Sequence, residues 1–263
     1  MKDFNIIIPS ASPTNLKTCI TSLFEQEPEL SGYNIIVIDD RAYDVALERK
    51  VRFIPGIKPF CFSRNVNIGI QAANSDVFIL NDDTRLLTYE GFTAIAKIAK
   101  DNPQYGLLSP ALVPGNAPLE NKLTDSPLRK LDSILLSFVG VFLSKTVQQN
   151  VGVLDERFTG YGWEDWDYSR RVLNMGLLLG VCDTVLLEHQ KTPSQFKIQG
   201  EDLKKELEEY NHKLYDEKWR NMPTPIAGNI RSKPVPTPTV PFGHKIAWRD
   251  GRKIVLNEKG IPI

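Results

Sequence analysis

The chain has 263 residues, with 32 basic against 32 acidic side chains. That length suits one large domain or one domain with an appendage, and the charge balance argues against a protein built chiefly to grip nucleic acid or anionic lipid. Hydrophobic residues make up 41% of the chain, which excludes wholesale disorder. No apolar run approaches the ~18–20 residues of a membrane span. The longest candidate, Ser133 to Leu143, reads as a buried strand. Met1-Lys2-Asp3 opens no secretion signal. The three cysteines, Cys19, Cys61 and Cys182, form no C-x-x-C pair, which argues against a disulfide scaffold or a zinc site. Together these features point to a reducing, cytoplasmic setting.

In chain order, Phe4 to Pro9 is a β-branched run that suits a strand buried on both faces. Thr14 to Gln26 follows as a helix, with Leu16, Ile20, Leu23 and Phe24 at helical spacing and Thr14 or Asn15 as its cap. Tyr33 to Asp40 is a second buried strand, and Val51 to Ile54 a short third. Ser63 to Asn74 reads as a helix, Asp76 to Leu80 as a strand, and Phe92, Ile95, Ala96 and Ala99 mark the next helix. Such alternation predicts an α/β fold, with helices on both faces of a mainly parallel sheet. In such sheets ligands bind beyond the carboxyl ends of the strands. Pro9-Ser10, Asp39-Asp40 and Asn81-Asp82-Asp83 all fall there.

Residues 114 to 130 are polar and read as a long loop. Ser137 to Ser144 is a strand interrupted by Gly140, and Glu164 to Met175 a helix ended by Gly176. Asp202 to Trp219 is a longer helix with Leu203, Leu207, Tyr210 and Leu214 on one face. Met222 to Gly243 carries six prolines and should run extended. Lys245 to Trp248 and Lys253 to Leu256 then flank Asp250-Gly251, a strong hairpin signal. The expected organisation is a domain over residues 1–221 and a Pro-rich segment with a small hairpin over residues 222–263.

Five constellations carry candidate chemistry. Asp82 and Asp83 follow a buried strand, where adjacent carboxylates need a neutralising partner. Mg²⁺ or Mn²⁺ would serve, since such ions take one or two carboxylates plus substrate phosphates. Taken alone, Asn81-Asp82-Asp83 reads slightly sooner as a solvated turn. Asp39 and Asp40 make a second acidic pair at the same sheet edge. Cys61 to Gly69 holds Ser63 as a helix cap and Arg64 facing an anionic ligand, or simply exposed. Trp163 and Trp166 beside Glu164 and Asp165 describe either a sugar site or an acid-rich helix start, with Asp167 and Arg171 as an i,i+4 pair. His189 closes an apolar run and becomes a candidate ligand only beside the other acids.

The ordered series Ile-Ile-Ile-Pro, Val-Ile-Asp-Asp, Ser-Arg-Asn-x-Asn-x-Gly, Leu-Asn-Asp-Asp-Thr, Phe-Val-Gly, Trp-Glu-Asp-x-Asp and Glu-His resembles family 2 glycosyltransferases with the GT-A fold. The resemblance covers residues 4 to 220. It implies a GT-A αβα sandwich and an inverting transfer of a sugar from a nucleoside-diphosphate sugar to an acceptor hydroxyl. It implies nucleotide-sugar contacts from Pro9, Ser10, Asp39, Asp40, Arg64, Asn65, Asp82, Gly140 and Trp163. It implies Mn²⁺ or Mg²⁺ at Asp83, with His189 as a further metal ligand. It implies Asp165 as catalytic base, with Glu164 beside it orienting the acceptor. The acceptor would be a glycan, a lipid-linked glycan or another hydroxyl compound, with nucleic acid disfavoured by the charge balance. The tail is a candidate surface for homo-oligomerisation or acceptor docking.

Two departures stand out. Arg41-Ala42-Tyr43-Asp44 replaces the usual small-residue turn, and Asn81 takes the first acidic position of the metal motif. Rival classes are weaker. A nucleotidyltransferase needs a glycine-rich loop after strand one, and a dinucleotide-binding oxidoreductase needs G-x-G-x-x-G, and neither occurs. A non-catalytic carbohydrate-binding protein would keep Trp163 and Trp166 without needing Asp83 and Asp165 together.

Overall fold

A computed structural model of the chain describes residues 2–10, 12–39, 51–113, 126–132, 135–190, 201–222, 245–249 and 252–256. Residues 201–204 and the last two segments are described by backbone alone. Asp40, the 41–44 turn, the Pro-rich stretch and the Asp250-Gly251 turn lie outside the described residues.

The first strand, β1 (Phe4–Ser10), shows how the sheet is built. Its side chains alternate between faces, yet all of Ile6, Ile7 and Ile8 are fully buried. Ile6 and Ile8 pack with Leu16, Ile20 and Leu23 of α1 (Pro13–Gln26). Ile7 packs on the opposite layer. A strand apolar on both faces requires helices on both sides, and the chain supplies them. It continues through β2 (Ile35–Asp39), β3 (Arg52–Pro55), α2 (Phe62–Ala73), β4 (Asp76–Leu80), β5 (Thr84–Leu86) and α3 (Gly91–Asp101). Then come β6 (Tyr105–Val113), β7 (Arg129–Lys130), β8 (Gly140–Leu143), α4 (Lys145–Val151), α5 (Glu164–Asn174), β9 (Leu178–His189) and α6 (Glu201–Trp219). Helices α1 and α3 cover one face, and α2, α4 and α5 the other.

The sheet runs β3-β2-β1-β4-β8-β6-β9-β5, with β7 on β9. The pairings β3-β2, β2-β1, β1-β4 and β6-β9 are parallel. β8 lies antiparallel between β4 and β6. Its first residue, Gly140, therefore pairs with the last residue of β4, Leu80. The segment before β8 is thereby delivered to the edge where β1, β2 and β4 end. The expected αβα sandwich is present, and its parallel pairings span more residues than its antiparallel ones. A separate hairpin of β10 (Lys245–Arg249) and β11 (Arg252–Leu256) pairs antiparallel, where the Asp-Gly signal placed it. No helix among the described residues is long and apolar enough to cross a membrane.

Several local expectations need correction. Ser12, not Thr14 or Asn15, caps α1, and Pro13 takes the first helical position, where its missing N–H costs nothing. Ser63 does not cap α2. The cap is Cys61 without a side-chain bond, and Ser63 Oγ is buried and without a partner. Of Ser137 to Ser144 only residues 140–143 form strand. The long strand β6 was not anticipated, because Ser109 and Pro110 interrupt its apolar run.

The fold also contains a cap formed at a distance. α3 starts at Glu90 with no side-chain bond of its own. Glu27, fully buried at the end of α1, accepts from Phe92 N (2.7 Å), Thr93 N (3.1 Å) and Thr93 Oγ1 (2.6 Å). Its carboxylate also favours the positive end of the helix. Glu27→Ala would leave these donors buried and unpaired. We expect a loss of about 1–3 kcal/mol in urea unfolding, with nucleotide affinity of the folded fraction unchanged.

Candidate active site

The carboxyl ends of β1, β2 and β4 meet at one edge. Ser10 ends β1 and donates through Oγ to Asp82 Oδ2 at 2.8 Å. The Ser12 N–H donates to the same oxygen at 3.2 Å. Asp82 thus ties the turn after β4 to the turn after β1. Asp39 ends β2, nearly buried, and its carbonyl accepts from Gly56 N at 2.8 Å. Pro9 lies within β1, opposite Ile38.

Asp83 and His189 lie 106 positions apart in the sequence, yet their side chains meet at 3.3 Å. The cause is β5, which pairs antiparallel with β9 so that Thr84 faces His189. Gln190 N also donates to the Asp83 carbonyl at 2.8 Å. Among the described residues no group of three or more His, Cys, Asp or Glu side chains could hold a metal ion. One carboxylate and one imidazole still fit a divalent ion whose remaining ligands are substrate phosphates and water.

The acid pair at the start of α5 is anchored to the same edge. Val139, just before β8, accepts from Asn81 N at 2.9 Å. Its neighbour Phe138 donates its backbone N–H to the Asp165 carboxylate. Tyr161 is hydrogen-bonded to the Asn81 side chain. Asn81 and Asp165 are therefore held by consecutive backbone positions.

The two acids differ in environment. Glu164 is buried, its Oε2 has no partner, and burial followed by the Asp165 charge pushes its pKa well above the usual range. Asp165 is partly exposed. Burial raises it to about 6, while the N–H groups of Trp166, Asp165 itself and Phe138 pull it back. Burial thus disfavours the charged form of both acids, and carboxyls perturbed in this way mark candidate functional groups.

Three expected contacts are engaged elsewhere. Arg64 is neither exposed nor free: its guanidinium donates to the Ile57 and Pro59 carbonyls and holds that turn. Gly140 is surrounded by side chains, and a Cβ there would lie 2.4 Å from Leu187 Cδ2. Close packing therefore accounts for its missing side chain. Trp163 is stacked on His212 (centroids 4.3 Å, 14° between planes) and lies 5.2 Å from Trp166 and 5.3 Å from Tyr215. The tryptophans form an aromatic cluster with α6. Asn65 is fully buried in the first turn of α2. The three cysteines are free and buried, and burial pushes Cys19 and Cys182 up to about 12 and Cys61 to about 11. None is a nucleophile near neutrality.

Residues 6–134 match the family model described as glycosyl transferase family 2. Over that stretch, just under half of the chain, the sequence is similar to this family. The fold resembles a crystal structure of GalNAc-T7 with UDP, GalNAc and Mn²⁺ (TM-score 0.65, 11% identity, 83% of this chain and 48% of that one). It also resembles the mannosyltransferase PcManGT from Pyrobaculum calidifontis in complex with GDP-Man and Mn²⁺ (TM-score 0.57, 12% identity, 73% of this chain and 58% of that one). The chain spans about half the length of these structures. No curated protein matches it. The chain has the fold of these GT-A glycosyltransferases.

Residues that the motifs did not reveal hold the site together. Asn67 donates to the Leu154 carbonyl and to Glu156, and accepts from Leu154 N. Asp155 in that segment is bridged by Arg157 (2.6 Å) and by Lys218 of α6 (2.8 Å). Burial opposes its ionisation, but these two cations outweigh burial and hold its carboxyl well below the usual range. A carboxylate depressed in the folded state stabilises above its ordinary pKa, and that stability is lost as pH falls. Asp155→Asn should cost about 1–3 kcal/mol at pH 7. It should also flatten the acid side of the stability curve below about pH 4, as read by urea midpoints across pH.

Proposed function

We propose that the chain is an inverting glycosyltransferase that moves a sugar from a nucleoside-diphosphate sugar to an acceptor hydroxyl. The observation that carries this is the anchoring of Asp165: its carboxylate accepts from Phe138 N, one residue from the backbone contact that holds the Asn81-Asp82-Asp83 turn. A base anchored next to a phosphate-and-metal edge is the arrangement that a single displacement needs. The acceptor O–H gives its proton to the Asp165 carboxylate while its oxygen bonds to the anomeric carbon. The bond from that carbon to the β-phosphate oxygen breaks, and the diphosphate leaves with the electron pair.

Asp83 and His189 would hold Mn²⁺ or Mg²⁺, which offsets charge on the leaving diphosphate. Ser10 and Asp82 frame the phosphates, and Asp39 lies where a ribose or base can be bonded. Glu164, beside Asp165, orients the acceptor. The carbohydrate-binding alternative loses support, because Trp163 and Trp166 pack on each other and on α6 rather than offering a sugar platform.

The base is tested by turnover of a panel of UDP- and GDP-sugars, read as diphosphate release. Asp165→Asn is expected to keep nucleotide affinity and lower kcat by about 10²–10⁴. Glu164→Gln should lose less. Because the base must be ionised and titrates at about 6, wild-type kcat should fall about tenfold per pH unit below that and level off above pH 7. A near-wild-type rate in Asp165→Asn sinks the assignment.

The metal is tested separately by calorimetry of UDP and GDP with and without Mn²⁺. We expect much tighter binding with Mn²⁺ and no such gain in Asp83→Ala. Equal affinity in wild type with a chelator present counts against the Asp83–His189 site.

A further inference from the structure

The loop that leads into the acid pair is held in an unusual conformation. Gly160 has φ +66°, Gly162 +108° and Trp163 +72°. Three of four consecutive residues are thus left-handed, and one of them is a tryptophan. The two glycines adopt such angles freely, but at Trp163 the conformation costs free energy and persists only where the surroundings over-determine it. On one side the loop rests on the start of α2, where Phe62 N donates to the Gly160 carbonyl at 2.8 Å. On the other side it meets α6, an element outside the stretch that matches the family model.

Asn211 of α6 makes the decisive contacts and is fully buried. Its Oδ1 accepts from Thr159 N at 3.0 Å. Its Nδ2 donates to the Thr159 carbonyl at 2.9 Å and to the Gly162 carbonyl at 3.0 Å. One amide therefore spans both ends of the left-handed stretch. The next residue, His212, stacks on Trp163. Leu207, one turn earlier, closes over Gly160, where a Cβ would lie 2.8 Å from its Cδ1. Only an amide supplies an acceptor and two donors in this shape. A carboxylate of the same shape would face two carbonyls.

We propose that Asn211 is a positioning residue for sugar transfer: it locks Thr159–Trp163 so that Tyr161, Glu164 and Asp165 stand at the sheet edge. This rests on the transfer reading above. α6 has its own anchors further along, where Lys218 and Trp219 bond to Asp167. Loss of Asn211 therefore frees the loop while the helix stays docked.

The test uses Asn211→Asp in the full chain. Three quantities are read: amide hydrogen exchange over 159–163, affinity for UDP and GDP with Mn²⁺, and kcat on the sugar nucleotide that wild type turns over. We expect clearly faster exchange confined to the loop, nucleotide affinity within about twofold, and kcat lower by about 10–100-fold, the effect of a small misplacement of a catalytic group. Gly162→Ala provides a second route that leaves Asn211 intact. A Cβ at Gly162 meets nothing within 4 Å, so only its φ of +108° is opposed. It should reproduce the kcat loss, and it decides the matter if Asn211→Asp does not fold. Glu27→Ala, which loosens the start of α3 far from this loop, should lower the melting temperature with kcat nearly intact. Unchanged loop exchange, unchanged kcat, or an equal kcat loss in Glu27→Ala overturns the proposal. A wild-type chain inert with every sugar nucleotide is a different failure: the transfer reading falls, and the positioning role falls with it.

Discussion

Asp167 is a carboxylate with no exposed surface, and it must be neutralised from within. It accepts from Arg171 Nε at 3.0 Å on its own helix. It accepts from Lys218 Nζ at 2.7 Å and Trp219 Nε1 at 3.0 Å on α6. Removing any one partner would leave buried charge less compensated, so α5 demands α6. Once α6 is drawn in, Leu207, Asn211, Leu214, Tyr215, Lys218 and Trp219 form its inward stripe. Tyr210, expected on that face, is 52% exposed. Lys218 then reaches Asp155, whose neighbour Leu154 is clamped by Asn67 of α2. Helix α5 is thereby tied to α6 and, through residues 154–155, to α2.

The antiparallel strand β8 does comparable work at the sheet. Because it runs against β4, its entry rather than its exit lies at the functional edge. Phe138 and Val139 hold the two acidic segments at adjacent backbone positions. A parallel strand in that place would have delivered its far end instead. Four carboxylates near this edge then have four environments. Asp82 accepts from Ser10 and the Ser12 backbone, Asp83 meets His189, Glu164 is desolvated, and Asp165 is bonded by backbone N–H groups. Like residues thereby acquire unlike chemistry.

Helix α6 extends the site beyond the half of the chain that carries the family match. The first half supplies the turns after β1, β2 and β4, whose backbone is set by the parallel strands. The second half supplies Asp165, the elements that hold it, and His189, which meets Asp83. The edge is thus assembled from both halves of the sequence.

The alternation of β-branched runs with 3.6-period stretches was legible without coordinates. It determined the αβα layering, because strands apolar on both faces must be covered on both sides. The acidic turns after β2 and β4 and the acid pair at α5 were legible as candidates only in combination, since each alone also suits a turn or a helix start. Three things were decided by the tertiary structure. The meeting of Asp83 with His189 depends on the register of β5 against β9. The fate of Arg64 and Trp163, both turned to packing, depends on neighbours distant in sequence: for Trp163, His212 of α6. The role of Asn211 gave no local signal, because an asparagine in a polar helix looks like any exposed residue until the helix is docked. Local pattern encodes which elements form and which faces they bury; which side chains share a site is a property of the register and docking between elements, and no short stretch of sequence contains it.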